Sequence, residues 1–143
     1  MKNEMKLEMD AISENEALAR VATATFLTRL HPTLEELEDV KTAVSEAVTN
    51  AIIHGVPEDG KVYITCIKEK NIFKVTIEDR GVGIANIEKA MEPLFTTKPE
   101  QERSGMGFAF MEAFMDKLEV TSAAGKGTVV YMEKAIGFSR YEE

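Results

Sequence analysis

The sequence predicts an α+β fold, in which helices pack against a β-sheet. Two segments open with the Ser/Thr-x-x-Glu pattern of a helix N-terminus and continue with apolar residues at helical spacing. A third segment alternates apolar and polar residues on both sides of a polar turn, which is typical of a β-hairpin. Two more alternating segments follow a helix-like segment near the C-terminus. At 143 residues, the chain is predicted to form one domain, residues 1–143, with a short polar tail from about residue 135.

Composition excludes several classes of protein. The net charge of −8 argues against sequence-independent nucleic-acid binding, which relies on Lys and Arg to neutralise phosphates. No apolar run reaches the ~20 residues that a membrane-spanning helix needs, and the N-terminus lacks an export segment. Cys66 is the single cysteine and lies in a strand-like segment, so we interpret it as a buried thiol. We therefore expect a cytoplasmic protein that binds neither membrane nor nucleic acid directly.

The N-terminal region predicts a strand followed by a helix. Residues 5–11 alternate as a half-buried strand does. A capping box from Ser13 to Glu16 opens a helix that runs to about Leu30. Arg20 lies beside the apolar stripe of this helix and is either part of a solvated face or a contact for a partner. The predicted stripe comprises Leu18, Ala22, Phe26 and Leu30.

The second predicted helix combines an apolar face with a polar row. A capping box at Thr33 opens it, and Gly55 is a natural helix end. Glu46, Asn50 and His54 follow one another at intervals of four residues, beside the apolar face. This row is either part of a hydrogen-bonded core helix or a site in which Asn50 binds a hard cation and Glu46 handles a proton. The residue pattern leaves both interpretations open.

The hairpin ends in an acidic residue and two glycines. Its strands are predicted at residues 62–67 and 73–78, and counting on by two places Asp79 on the core-facing side. A carboxylate there needs a donor, either from a strand-end turn or from a ligand. Gly81 and Gly83 allow the backbone to approach a flat ligand closely, although a lone GxG motif has low specificity.

The third quarter of the chain predicts a loop and a glycine-rich helix start. After a short helix at residues 86–91, residues 94–104 show no clean period and form either a surface connection or a lid over a ligand. The segment 104–107 leads into an apolar helix, and backbone amides at such a start suit phosphate oxygens. The last strands are predicted at residues 118–122 and 128–133.

These motifs, in this order, resemble the GHKL superfamily of ATP-binding domains. Glu46 to Asn50 matches its N box, Asp79-x-Gly81-x-Gly83 its G1 box, and Ser104-Gly105-Met106-Gly107 its G2 box. The resemblance covers essentially the whole chain. It implies the Bergerat-type two-layer α/β sandwich, in which helices cover one face of a mixed, mostly antiparallel sheet.

Three longer segments resemble one particular family within this superfamily. Residues 43–55, 92–100 and 102–108 closely resemble the anti-sigma F factor family of endospore-forming bacteria, which are stand-alone GHKL domains and serine kinases. The resemblance implies a homodimer that uses ATP and Mg²⁺. Such a protein sequesters a sporulation sigma factor of the sigma F type and phosphorylates a serine of its antagonist, the anti-anti-sigma factor.

The resemblance also assigns roles to single residues. Asn50 would ligate Mg²⁺, Asp79 would accept the adenine amino group, and Glu46 would orient or deprotonate the serine hydroxyl. Gly81 and Gly83 would let the backbone approach the nucleotide, and Thr128 would lie near the adenine. The residues that would contact the phosphates or close over them are Thr97, Lys98, Arg103, Ser104, Gly105, Met106 and Gly107.

Two other functions fit parts of the sequence. The first is a non-catalytic, ATP-gated binding module, which would have no need for a carboxylate one turn from the metal ligand. The second is the catalytic half of a sensor histidine kinase, which needs a phosphoacceptor histidine on a dimerising helix. His31 precedes a proline and His54 ends the second helix, so the sequence argues against this second function.

Overall fold

We analysed a computed structural model, which describes residues 2–55, 60–81, 107–123 and 125–137. Helical and extended segments alternate as the sequence predicts. The helices are α1 (Glu14–Leu27), extended by a 3₁₀ turn (Thr28–Leu30), α2 (Leu34–Asn50), extended by a π-helical turn (Ala51–Gly55), and α3 (Gly107–Phe114). The strands are β1 (Lys2–Asp10), β2 (Lys61–Glu69), β3 (Ile72–Asp79), β4 (Lys117–Ala123) and β5 (Gly127–Ala135).

The described strands form one five-stranded sheet in the order β1-β2-β3-β5-β4. All four pairings between these strands are antiparallel. The predicted hairpin is confirmed as β2 and β3, and Lys70 in its turn has the positive φ of 56° that tight turns require. The two predicted C-terminal strands are confirmed as β4 and β5.

Helices α1 and α2 pack together and cover one face of the sheet. Phe26 of α1 contacts Phe73 of β3, with ring centroids 6.3 Å apart, and Thr23 of α1 lies 3.9 Å from the Cys66 sulfur of β2. Alternate residues of the central strands, Val62 and Ile64 among them, are fully buried beneath the helices. This arrangement confirms the two-layer α/β sandwich. The Cys66 thiol is buried between the layers, as predicted, and this burial raises its pKa to about 11.

The predicted apolar stripe of α1 is partly wrong. Phe26 and Leu30 are buried, but the Leu18 side chain is 56% exposed, and the small residues Ala19 and Thr23 occupy the buried positions instead. The buried stripe is therefore displaced by one residue in the first half of α1 only, and Phe26 and Leu30 remain on the buried side as predicted.

The two predicted capping boxes have different outcomes. At α2, the Thr33 hydroxyl accepts from the Glu36 N–H while the Glu36 carboxylate accepts from the Thr33 N–H, as predicted. At α1, Ser13 is helical and makes no capping bond, so that box is wrong although the helix begins at the predicted place. The Glu16 carboxylate instead accepts from Arg20 Nε at 2.9 Å.

The chain remains packed beyond the predicted start of the polar tail. Ile136 is buried, and Gly137 N–H donates to the Glu36 carboxylate at 3.2 Å. The predicted tail therefore begins too early, because residues 135–137 still anchor the end of β5 to the start of α2. In the described part of the chain, no helix combines the length and apolarity that crossing a membrane requires.

Candidate nucleotide site

Three polar residues lie side by side at the ends of neighbouring strands. Across the sheet, Asp79 of β3 pairs with Thr128 of β5, and Thr128 pairs with Ser122 of β4. Asp79 and Thr128 are both buried, with the Asp79 residue 4% exposed. Because Ile77 and Val130, two residues along, are core residues, this row faces the helical layer. The row places Asp79 on the core-facing side of its strand, where the sequence predicts it.

The Asp79 carboxylate is desolvated but not isolated. Its Oδ1 accepts a hydrogen bond from the Gly81 N–H at 3.0 Å. Burial raises the pKa of Asp79 above its ordinary value, and backbone N–H groups of Gly81 and Thr128 oppose this shift. The result is a buried acceptor next to a buried glycine. The hydrogen bond from the Gly81 N–H makes the Asp79 carboxylate a strand-end cap. The same buried carboxylate is also a candidate acceptor for a ligand.

Gly127 fixes the backbone around this row. Its φ of +92° is in the region that favours glycine, and a Cβ there would lie 2.1 Å from the Asp79 carbonyl oxygen. The start of β5 therefore presses directly against the end of β3. Only glycine permits this contact, which sets Thr128 beside Asp79.

Ser122 is a site residue that the sequence analysis missed. Its Oγ donates to the Gly127 carbonyl at 3.0 Å and lies 2.9 Å from the Thr128 hydroxyl. Counting by two from Leu118 and Val120, which pack against the core, would have placed this polar side chain on the core-facing side of β4. A polar residue at a core-facing strand position was the available signal.

A second group of site residues joins α2 to the start of α3. Glu46 is 9% exposed and Asn50 is half-buried one turn further on. A Cβ built on Gly107 would lie 3.0 Å from Asn50 Nδ2 and 3.4 Å from Glu46 Oε1. The start of α3 thus lies close to both polar side chains, and a side chain at position 107 would press on the Asn50 amide.

The π-helical turn links this group to the strand ends. It follows Asn50 directly and contacts β3 and β5, the strands that carry Asp79 and Thr128. The wider π turn occurs often at functional sites. The sequence predicts an α-helix through residue 54, and the π turn replaces its last part.

The remaining predicted site residues have mixed outcomes. Arg20 is on α1, as predicted, and its side chain is 35% exposed and paired with Glu16. The predicted helix at residues 86–91 and the lid at residues 94–104 lie outside the described residues. So do Gly83, Thr97, Lys98, Arg103, Ser104, Gly105 and Met106.

Comparison with known proteins first identifies the class. The family described as "Histidine kinase-like ATPase domain" matches residues 10–134. A crystal structure of the RsbU and RsbW domains of a Mycobacterium tuberculosis protein matches 94% of this chain and 32% of that longer chain, with a TM-score of 0.69 and 17% identity. A nucleotide-free catalytic domain of the histidine kinase ThkA matches 94% of this chain and 96% of that chain, with a TM-score of 0.59 and 18% identity. These structures support the fold, and the matched domain defines the class as histidine kinase-like ATPases.

Similar sequences then identify the family. The anti-sigma F factor of Geobacillus sp. strain WCH70 is 57% identical, and that of Oceanobacillus iheyensis is 56% identical. The anti-sigma F factor of Bacillus velezensis is 54% identical. Each match covers 98% of this chain and 97% of the relative. The chain therefore belongs to the anti-sigma F factor family within that class.

Proposed function

We propose that this protein is an ATP-dependent anti-sigma factor and a protein-serine kinase. It binds and inhibits a sporulation sigma factor of the sigma F type, and it phosphorylates a serine of the anti-anti-sigma factor. Family membership implies ATP binding. The observation that carries the kinase assignment is the position of Glu46 and Asn50, one turn apart on α2 and close to the start of α3, because it puts a carboxylate beside a candidate metal ligand.

The described residues fit an adenine nucleotide with Mg²⁺. Asp79 offers a buried acceptor for the adenine amino group, and Gly81 follows it without a side chain to block a flat base. Asn50 offers a neutral oxygen to Mg²⁺, which suits a metal whose charge is balanced mainly by phosphates. The Gly107 amide lies at the N-terminus of α3, where backbone N–H groups favour phosphate oxygens. Gly83 and the predicted lid residues would complete the site.

Glu46 would act on the serine of the protein substrate. A bound nucleotide would supply the phosphoryl group, and Mg²⁺ held by Asn50 would neutralise charge on the phosphates. Glu46 would accept the serine proton as the serine oxygen bonds to the γ-phosphorus, and the bond to ADP breaks on the opposite side. Its position one turn from Asn50 keeps the base next to the metal ligand.

Gly107→Ala tests the contact between α3 and the polar row. The added methyl group would press on the Asn50 amide, so we expect the affinity for Mg·ATP to fall by about tenfold, the value of one hydrogen bond to a charged group. Calorimetric titration with and without EDTA measures this effect. The loss of affinity should appear in the titration with Mg²⁺ and not in the titration with EDTA. An equal loss with EDTA would contradict the placement of Mg²⁺ at Asn50.

The outer face of α1 supports a role in partner binding. Leu18 and Val21 are 56% and 55% exposed, and because they are three residues apart on the helix they lie on the same face. Arg20 lies between them in sequence, and an arginine beside exposed apolar residues is typical of a protein interface. We propose that α1 contributes to the surface that binds the sigma factor and the antagonist, and that the protein acts as a homodimer in the cytoplasm.

Arg20→Ala tests this surface. We expect about 30-fold weaker binding of the sigma factor or the antagonist, as for an interface hot spot, and unchanged ATP affinity. Biolayer interferometry with each purified partner measures both affinities. Arg29→Ala, an exposed arginine on the 3₁₀ turn after α1, is the matched control. Normal binding of both partners by the Arg20 variant would remove α1 from the proposal.

Sigma-factor binding is tested by size-exclusion chromatography of the purified protein with a sigma F-type factor. We expect a complex with ATP and Mg²⁺ that dissociates when unphosphorylated antagonist is added. A complex that forms equally well without nucleotide would contradict ATP dependence.

A further inference from the structure

The side chain of Arg80 folds back from the end of β3 onto the outer face of the sheet, which is the face opposite helices α1 and α2. Its guanidinium carbon lies 4.0 Å from the centre of the Tyr63 ring. Tyr63 of β2 pairs directly with Glu78 of β3 in the strand register, one residue along from the pair of Val62 and Asp79 that faces the helices. The Glu78 carboxylate accepts a hydrogen bond from Arg80 Nε at 3.4 Å. Arg80 therefore has partners on both strands of the hairpin.

The backbone of Arg80 is also closely packed. A Cβ on Gly127 would lie 2.6 Å from the Arg80 Cα, so the start of β5 packs against this residue. The next residue, Gly81, donates its N–H to Asp79 Oδ1 at 3.0 Å. The turn of residues 79–81 thus contains the buried acceptor, the arginine that stacks on Tyr63, and the amide that bonds the acceptor. A movement of Arg80 would displace the Gly81 amide relative to the Asp79 carboxylate.

We propose that Arg80 is a positioning residue for the nucleotide site and acts through the Gly81 amide. Stacked on Tyr63, its side chain restrains the turn after β3 and keeps the Gly81 N–H on the Asp79 carboxylate. The Arg80 side chain lies on the opposite face of the sheet from this carboxylate and makes no contact with the nucleotide. The inference rests on the proposed function, because it takes Asp79 as an acceptor for the ligand.

The contact between Arg80 and Tyr63 is a cation–π interaction, in which the guanidinium is attracted to the electron-rich face of the ring. The Arg80 side chain is 64% exposed, so the contact has the strength of a surface interaction, which corresponds to a factor of about two to five in an equilibrium constant. The ion pair with Glu78 adds little, because charges that stay in contact with water interact weakly. A turn released from Tyr63 must be ordered again when the ligand binds, so the affinity falls by up to the same factor.

The first test is a double-mutant cycle on ATP affinity, with Arg80→Ala, Tyr63→Leu and the two combined, measured by calorimetry with Mg²⁺. We expect each single variant to bind ATP about two- to fivefold more weakly, and the double variant to bind no more weakly than either. Tyr63→Phe keeps the aromatic face and should bind ATP like the wild type. Lys74→Ala is the matched control, because Lys74 is a cation on the same face of β3 that pairs with Glu69 instead.

Amide hydrogen exchange in the unligated protein gives a readout that a general loss of stability would not produce. We expect the Gly81 amide to exchange about two- to fivefold faster in Arg80→Ala and in Tyr63→Leu. The amide of Val75, a fully buried residue of β3, should keep its wild-type rate in both variants. Tyr63→Phe and Lys74→Ala should keep the wild-type rate at Gly81.

Three results of these tests would overturn the inference. A loss of ATP affinity in Arg80→Ala with none in Tyr63→Leu would mean that the charge of Arg80 acts on the ligand directly. Additive losses in the double variant, or an equal loss in Tyr63→Phe, would show that the stacked pair is not the cause. Unchanged exchange at Gly81 would show that Arg80 does not restrain the turn. A wild type that binds no ATP would instead refute the proposed function, and exchange at Gly81 would still report whether Arg80 holds the turn.

Discussion

Glu46→Gln is expected to bind Mg·ATP like the wild type and to transfer phosphate to the antagonist about 100- to 10,000-fold more slowly. The loss is that of a general base, which typically contributes this factor. Glutamine has nearly the same shape, so Asn50 and Gly107 should stay in place around it. Single-turnover transfer from labelled ATP measures the rate, and calorimetry measures binding.

The matched control for Glu46→Gln is Glu38→Gln on the same helix. Glu38 is exposed and pairs with Lys41 at 3.3 Å, away from the proposed site. Its replacement should leave both binding and transfer unchanged. Normal turnover by Glu46→Gln would remove Glu46 from the chemistry and return it to the role of a polar residue in a core helix.

Asp79→Asn is expected to abolish measurable ATP binding and to keep the fold. The substitution removes the charged acceptor for the adenine amino group and leaves a neutral amide in a buried position. We expect at least a 10- to 100-fold loss, on the order of one hydrogen bond to a charged group. Glu78→Gln, on the opposite face of β3, is the control and should bind ATP normally. Unchanged affinity in Asp79→Asn would refute the assignment.

The raised pKa of Asp79 predicts a second effect of Asp79→Asn, on thermal stability as a function of pH. Burial raises this pKa above its ordinary value of 3.8, so the folded state holds the proton more tightly than the unfolded state does. The resulting stability is present below the unfolded-state pKa and is lost as the pH rises through the folded-state pKa. At neutral pH the ionised carboxylate is therefore a cost to the unligated protein. Asp79→Asn should unfold at a temperature equal to or above that of the wild type at pH 7, and the difference should shrink toward pH 4.

Local patterns predicted the elements that position the site. The period of α2 identified its buried residues Val44, Ala47 and Val48, because a helix that packs on a sheet must keep one face apolar. Alternation in β3 identified the inward direction of Asp79, because the side-chain period of a strand is two. Both predictions concern residues close together in the chain.

Long-range contacts were not predictable in this way. Nothing local to Gly107 shows that its Cα faces Glu46 and Asn50, which lie far away in the sequence. The displaced stripe of α1 has the same origin, since the packing of Ala19 and Thr23 against the rest of the protein overrides the larger side chain of Leu18. Resemblance to a family supplied what spacing could not, by relating Gly107 to the helix that carries Asn50.

Transfer of phosphate to serine is the most direct test of the central claim. Purified protein is incubated with γ-labelled ATP, Mg²⁺ and the candidate anti-anti-sigma factor, and the labelled amino acid is identified after hydrolysis. We predict label on serine of the antagonist, lost with Glu46→Gln and retained with Glu38→Gln. Bound ATP with no transferred label would contradict the kinase assignment and leave an ATP-gated binding module.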